Sequence, residues 1–266
     1  MAKVYIGVGH GGSDPGAVKY LVEKDINLKM AKACRDYLVK NGVQVKISRE
    51  TDKDSSINQK VSEANAWGAD LALDIHNNAG GGDGAEVLHS ISYGTGAVLA
   101  KNILAELEAI GQNSRGTKIR KNSSGKDYFG FIRSTNMPAV ITECVFVDNI
   151  KDAAQADTDA ECKAFGEAIA KGVLKTLGVT ENKNDAVKPA KNKKPVAAEN
   201  KKPTAAGYLV RVTASALNIR SGPGTGYKVN GVIRDKGAYT IVETHGSWGK
   251  LKSGAGWICL DYAKKV

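Results

Sequence analysis

The stretch Leu71-Ala-Leu-Asp-Ile-His-Asn-Asn-Ala79 constrains the fold most. Apolar residues at successive rather than alternate positions leave no face for water. Such a run, bounded by Gly and Asn, is expected to be a strand covered on both faces of an α/β sheet. It ends in His76-Asn77-Asn78, at the point where α/β proteins place their sites. A second run, Val4-Tyr-Ile-Gly-Val-Gly9, ends the same way at His10. Two histidines at two strand ends can meet in one crevice.

The rest of the first 178 residues alternates in kind. A Gly- and Pro-rich loop, residues 10–17, follows the first strand. Ile26, Met30, Cys34 and Tyr37 recur at helical spacing, so a helix is predicted over Glu23–Lys40, with Asn41-Gly42 stopping it. Residues 43–49 alternate like a strand, and Ser55 or Ser56 can cap a helix running to Trp67. A strand is expected over 84–90, a helix over 96–111, polar loops over 112–136, a strand over Ala139–Val147 and a last helix over about 160–177. The order β-α-β-α-β-β-α-β-α predicts an α/β domain whose mostly parallel, twisted sheet carries helices on both faces.

Residues 179–207 break this pattern, with three prolines, much Lys, Asn and Ala, and no aromatic residue. Such a segment buries nothing and is expected to be a flexible basic linker. Residues 208–266 change again, to short β-rich runs separated by turns such as Ser221-Gly-Pro-Gly224. Their spacing predicts a small all-β barrel. The net charge of +10 follows these boundaries. Residues 1–178 hold 22 Lys+Arg against 22 Asp+Glu, residues 179–207 hold 7 against 3, and residues 208–266 hold 9 against 3. A basic tail suits an anionic partner. The four cysteines are scattered, with no CxxC, and are expected to be buried free thiols. No apolar run approaches the roughly 20 residues of a membrane span. The N-terminus enters a strand at once without a signal-peptide pattern, so synthesis in the cytoplasm without membrane insertion is expected.

Glu23 opens the first helix just past the loop that His10 begins, and Glu143 stands inside an otherwise apolar strand. A carboxylate buried there is costly unless it has a partner, a metal or a chemical task. Two His and one Glu make a common catalytic zinc set, and a second Glu beside them can serve as general base.

Five motifs then point to a family. They are Val8-Gly-His-Gly-Gly-Ser-Asp-Pro-Gly-Ala17, Leu21-Val-Glu-Lys-Asp-Ile-Asn-Leu28, Val45-Lys-Ile-Ser-Arg-Glu-Thr-Asp52, Asp74-Ile-His-Asn-Asn-Ala79 and Met137-Pro-Ala-Val-Ile-Thr-Glu-Cys-Val-Phe-Val-Asp-Asn149. In this order, over residues 1–178, they resemble the zinc-dependent N-acetylmuramoyl-L-alanine amidases of the Amidase_3 type. The resemblance implies His10, Glu23 and His76 as ligands of one Zn2+, Glu143 as the catalytic glutamate, and Asn78 near the substrate. It further implies hydrolysis of the amide between the muramic lactyl group and L-alanine in peptidoglycan. Two departures stand out: Cys144-Val-Phe replaces the family's Gly-Phe after the catalytic Glu, and Gly7-Val-Gly-His replaces its opening Asp-Pro-Gly-His. Glu86, His89, Arg49, Arg133 and Tyr128 are candidates to line the cleft.

Ala216-Leu-Asn-Ile-Arg-Ser-Gly-Pro-Gly-Thr-Gly-Tyr227, Gly246-Ser-Trp-Gly-Lys-Leu251 and Gly256-Trp-Ile-Cys-Leu-Asp-Tyr262 resemble bacterial SH3 (SH3b) domains. That resemblance implies binding to Gram-positive peptidoglycan. Tyr227 and Trp248 lead the candidates for the binding face, followed by Tyr239 and Tyr262, while Trp257 is expected in the core. Anionic wall polymers are a further partner suggested by the charge; nucleic acid is not expected. The overall expectation is a lytic cell-wall amidase, endolysin-like, with domains at 1–178 and 208–266. Two alternatives remain at this point. One is a wall-binding protein with a dead amidase fold. The other is a glycosidase using Glu23 and Glu143 as paired carboxylates, which leaves both histidines unexplained.

Overall fold

Burial along the strands alternates between two different neighbours, and this sets the layers. In the computed structural model, which describes residues 1–181, 208–224, 227–245 and 247–266, Val4, Ile6, Val8, Leu71, Leu73, Ile75 and Val140 enter one buried cluster. Tyr5, Ala72, Ile141 and Leu88 enter another. Side chains at i and i+2 share a face of a strand, so the sheet is covered on both sides. The chain divides into two compact units, Met1–Ala186 and Val187–Val266.

The first unit runs β1 (Lys3–Val8), α1 (Glu23–Lys40), β2 (Gln44–Ile47), α2 (Ile57–Trp67), β3 (Leu71–Asn78), β4 (Ala85–His89), α3 (Gly94–Ala109), β5 (Ser114–Lys118), α4 (Gly130–Ser134), β6 (Ala139–Phe146), α5 (Ile150–Ala153) and α6 (Asp159–Leu177). The six strands lie in the order β2-β1-β3-β6-β4-β5. Helices α1, α3 and α6 supply Met30, Leu38, Leu99, Ile103, Phe165 and Ile169 to the first cluster. Helices α2 and α4 supply Ala64, Phe131 and Ile132 to the second. Ser56 caps α2 by accepting from Gln59 N. Thr158 and Glu161 form a reciprocal capping box at the start of α6.

The sheet is mostly parallel with helices on both faces, as expected, and three details are added. The sheet is mixed: β4 pairs antiparallel with β6, while β1–β2, β1–β3, β3–β6 and β4–β5 pair in parallel. The direct β3-to-β4 connection turns the chain back before it reaches the next helix. The segment 112–136 is not all loop, since it holds β5 and α4. Strand β5 is a solvent-facing edge with the sequence Ser-Arg-Gly-Thr-Lys; without an apolar pattern, only its pairing with β4 reveals it. Finally, the short helix α5 follows β6.

The second unit holds β7 (Tyr208–Val212), β8 (Leu217–Arg220), β9 (Val229–Ile233), β10 (Ala238–His245), β11 (Trp248–Leu251), β12 (Trp257–Cys259) and β13 (Ala263–Lys265). They form a seven-stranded antiparallel sheet in the order β13-β7-β10-β11-β12-β8-β9. Val210, Val212, Leu217, Ile241, Leu251 and Ile258 form its core, and Trp257 is buried as expected. The basic linker of 179–207 lies, from residue 182 on, outside the described residues. Cys34, Cys144 and Cys162 are buried free thiols and Cys259 is partly buried. No described helix is long and apolar enough to cross a membrane.

Candidate functional site

The site forms where β1, β3 and β6 end side by side. His10 leaves β1 in the left-handed region, at φ 58°, which turns its ring back over the strand ends. His76 lies in β3 directly beside Glu143 of β6, as Cα partners. Glu23, first residue of α1, reaches both rings. Its Oε2 is 3.2 Å from His10 Nε2 and its Oε1 is 3.0 Å from His76 Nδ1. The two rings meet edge to face at 4.9 Å.

Glycine makes this approach possible. A Cβ on Gly9 would lie 2.4 Å from the His76 ring, and one on Gly16, itself at φ +65°, 2.5 Å from Glu23 Oε2. No other residue fits at either position without displacing a site side chain.

Glu23 is buried and fully engaged. Ala17 N donates to Oε2 at 3.0 Å, and Asn77 N donates to Oε1 at 3.1 Å. Asn27 Nδ2 reaches Oε1 at 3.3 Å and also donates to Gly9 O. Asn77 in turn donates to Asn27 Oδ1 and accepts from Val145 N, tying α1, β3 and β6 together. Glu23 is held between both histidines and two backbone N–H groups and does not line the cavity that Glu143 faces, so the glycosidase alternative loses one of its two carboxylates. Burial would raise its pKa, but the hydrogen bonds to both histidines hold it well below the usual carboxylate range. Burial lowers the His76 imidazolium, yet Asp74, Glu23 and Glu143 push it up to about 10. The hydrogen bond to Glu23 raises His10 against its burial.

One ligand atom each from His10, Glu23 and His76 lies within 4.8 Å of the other two. Two imidazoles and a carboxylate converging this closely fit a divalent cation of the zinc type. Each imidazole also faces a second carboxylate with its other nitrogen. His10 Nδ1 donates to Asp14 Oδ2 at 2.7 Å, and His76 Nε2 lies 3.5 Å from Asp74 Oδ2. Metal-bound histidines are typically oriented in this way.

Glu143 differs from Glu23 in having nothing to hold it. Its Oε2 is buried without a hydrogen-bond partner. Burial raises its pKa to about 7; Glu23, Glu86 and Asp74 add to the rise and His76 opposes it. It opens on a cavity of about 420 Å³ shared with His10 and His76, whose lining mixes apolar residues (Ile57, Phe129, Phe131, Ile141) with polar ones that include Lys60 and Asp74. A carboxyl group poised near neutrality beside a possible cation site can take up and release a proton.

The other candidates are placed differently. Asn78 ends β3 with its side chain donating to Glu86 Oε1 at 3.1 Å, away from the cavity lining. Glu86, His89, Arg49, Arg133 and Tyr128 do not line the cavity. Glu86 sits across from Glu143 on β4 and accepts from Arg115. His89 is buried, with Nδ1 donating to Ser90 O. Arg49 is buried beneath the loop and donates to Gly9 O and Lys24 O. Arg133 donates to the carbonyls of Asp127 and Tyr128, and Tyr128 stacks under Arg120 at 3.8 Å. In the second unit Tyr227 is half exposed over the turn at Gly222, and Trp248 is partly buried.

Residue-by-residue reading missed Asp14, Asn27, Asn77 and the buried pair Lys60–Asp74. Asp74 carried a signal: a charge in an apolar strand, two residues before His76 and therefore on the same face.

The sequence profile of the Amidase_3 family, described as N-acetylmuramoyl-L-alanine amidase, matches residues 4–175. The chain is 36% identical over 187 residues to the N-acetylmuramoyl-L-alanine amidase CwlM of Bacillus licheniformis, covering 68% of this chain and 71% of that one. It is 35% identical over 202 residues to an endolysin of Bacillus phage SPP1, covering 72% of each. Among solved structures, the catalytic domain of CwlV, an N-acetylmuramoyl-L-alanine amidase from Bacillus (Paenibacillus) polymyxa var. colistinus, superposes with a TM-score of 0.61 at 29% identity. That match covers 68% of this chain and 100% of that one.

Proposed function

The chain belongs to the Amidase_3 family of N-acetylmuramoyl-L-alanine amidases, and from that premise we propose that it cleaves the bond between N-acetylmuramic acid and L-alanine in Gram-positive peptidoglycan as a zinc enzyme of the lytic, endolysin-like kind. The observation that carries the reading is the convergence of His10, Glu23 and His76 within 4.8 Å, beside the unpartnered Glu143 oxygen.

His10, Glu23 and His76 would hold one zinc ion. Bound there, zinc supplies a lowered pKa for water and a polarised scissile carbonyl. Glu143 does the proton work. Its Oε2 takes a proton from the attacking water, and the carboxyl group returns it to the departing amine of L-alanine. With Oε2 held by no other group, that oxygen is free to accept the proton and hand it on. Ile57, Phe129 and Phe131 give part of the cavity an apolar lining. Asn78, which the family motif implies near the substrate, is held in place by its hydrogen bond to Glu86.

The second unit serves as an SH3b wall-binding module, with Tyr227 and Trp248 on its binding face. Its positive charge favours anionic wall polymers as a secondary contact. Tethering it to the catalytic unit raises the local substrate concentration.

Hydrolysis of purified Gram-positive peptidoglycan tests the reading. New L-alanine amino termini, lost on chelation and restored by zinc, are the expected products. Reducing sugar ends indifferent to chelator would overturn it, and binding without product would favour the dead-enzyme alternative.

A further inference from the structure

A buried ion pair lies beside His76, in the lining of the same cavity. Lys60 Nζ, from α2, lies 2.9 Å from Asp74 Oδ1 and 2.7 Å from Asp74 Oδ2. Both side chains are almost wholly buried, at 2% and 3% exposure. Asp74 Oδ2 is also 3.5 Å from His76 Nε2, so one carboxylate oxygen serves a lysine and a histidine together. A space has been kept for the pair. On β1, Gly7 is the Cα partner of Asp74, and a Cβ there would fall 2.5 Å from Asp74 Oδ1 and 3.1 Å from Lys60 Cδ. Gly9, two residues on and on the same face, gives the equivalent space to the His76 ring.

Such a pair is a poor way to stabilise a fold. Desolvating two charges commonly offsets their attraction, and an apolar pair of like volume does as well or better. What the pair does here is aim a ring. His76 has two nitrogens, with Glu23 beside Nδ1 and Asp74 beside Nε2. A carboxylate that is itself held in place by a cation can only accept, so once a divalent cation replaces the Nδ1 proton that Glu23 accepts, the remaining ring proton stays on Nε2, facing Asp74. Nδ1 then presents its lone pair toward Glu23 and His10. Asp14 does the same for His10 but is largely exposed, where water competes for it.

We infer that Asp74, locked by Lys60, is the positioning residue for His76, committing Nδ1 to the divalent cation and Nε2–H to the carboxylate. The inference rests on the metal-site reading above. Lys60 acts through Asp74.

The test uses the full-length protein and zinc alone. Asp74→Asn by itself strands a buried lysine, so the informative variant removes both charges, Lys60→Met with Asp74→Leu. Thermal unfolding of the metal-free variant is expected to stay cooperative and near the parent. Its zinc affinity, read by competition with a chromophoric chelator, is expected to fall about 10- to 100-fold. Unchanged affinity in the folded double variant would overturn the positioning role and leave the zinc reading intact. Failure of the parent to bind zinc would overturn both. If the variant does not fold, long-range 1H–15N spectra of the zinc-loaded parent decide the matter. His76 should show a protonated Nε2 and a metal-bound Nδ1, and the reverse assignment would refute the inference.

Discussion

Replacing Glu143 by Gln should make the metal-free protein more stable, and only above a defined pH. Glu143 Oε2 is buried with no partner, and burial moves its carboxyl from 4.5 to about 7. Below pH 4.5 the group is protonated whether the chain is folded or not, and it costs nothing. Between 4.5 and about 7 the unfolded chain releases the proton while the folded chain keeps it. The folded state then binds more protons, so stability falls as pH rises. Above about 7 the loss is complete. The interval from 4.5 to about 7, at about 1.4 kcal/mol per pH unit, amounts to about 3 kcal/mol. Glutamine keeps the shape and does not titrate. The stability difference between Glu143→Gln and parent should therefore grow by about 3 kcal/mol from pH 4 to pH 8. For a unit of this size that is a shift of about 6–12 °C in unfolding temperature. Calorimetry of both full-length proteins in excess chelator, across this range, reads it directly from the larger transition. A difference that stays flat with pH, or that favours the parent at pH 8, would refute the idea that Glu143 is buried, unpartnered and raised. The same variant should retain zinc and lose cleavage of peptidoglycan.

Other outcomes follow from single contacts. Gly9→Ala places a methyl 2.4 Å from the His76 ring, so zinc affinity should drop at least tenfold while the circular dichroism spectrum stays unchanged; equal affinity would mean the ring has room to move. Thr158→Ala removes the capping box of α6 and should cost about 1 kcal/mol in urea unfolding of the larger unit. Trp257→Ala, in the core of the second unit, should cost about 3–5 kcal/mol and melt that unit first. Trp248→Ala should leave its melting near the parent and weaken sedimentation with purified cell walls; no loss of wall binding would remove Trp248 from the binding face.

Much of the first unit was legible because its strands are covered on both faces. Apolar runs such as Leu71–Leu73 and Ala139–Ile141 suit a strand covered on both faces, and the helical periodicity of Ile26, Met30 and Cys34 supplied the intervening layer. The amidase-type motifs marked His10, Glu23, His76 and Glu143, and the structure gathers all four at neighbouring strand ends. Strand β5 and helix α4 escaped notice because one is a polar edge and the other only five residues long. None of the five further cleft candidates lines the cavity, for a related reason. Polar residues such as Arg49, Glu86 and His89 look alike in sequence whether they face a cavity or brace a loop.

The amino-acid order by itself determined which groups are present and how the strands and helices alternate, since local apolar spacing decides how each segment must be buried. Only the tertiary structure decided what those groups meet. The antiparallel placement of β4 beside β6 puts Glu86 next to Glu143, and the pairing of Gly7 with Asp74 opens the space beside His76. It also seats Lys60, 14 residues earlier in the chain, against that carboxylate. The first two depend on strand register, which sets neighbours across the sheet by hydrogen bonding between segments far apart in sequence, and the third on the packing of α2 against that sheet.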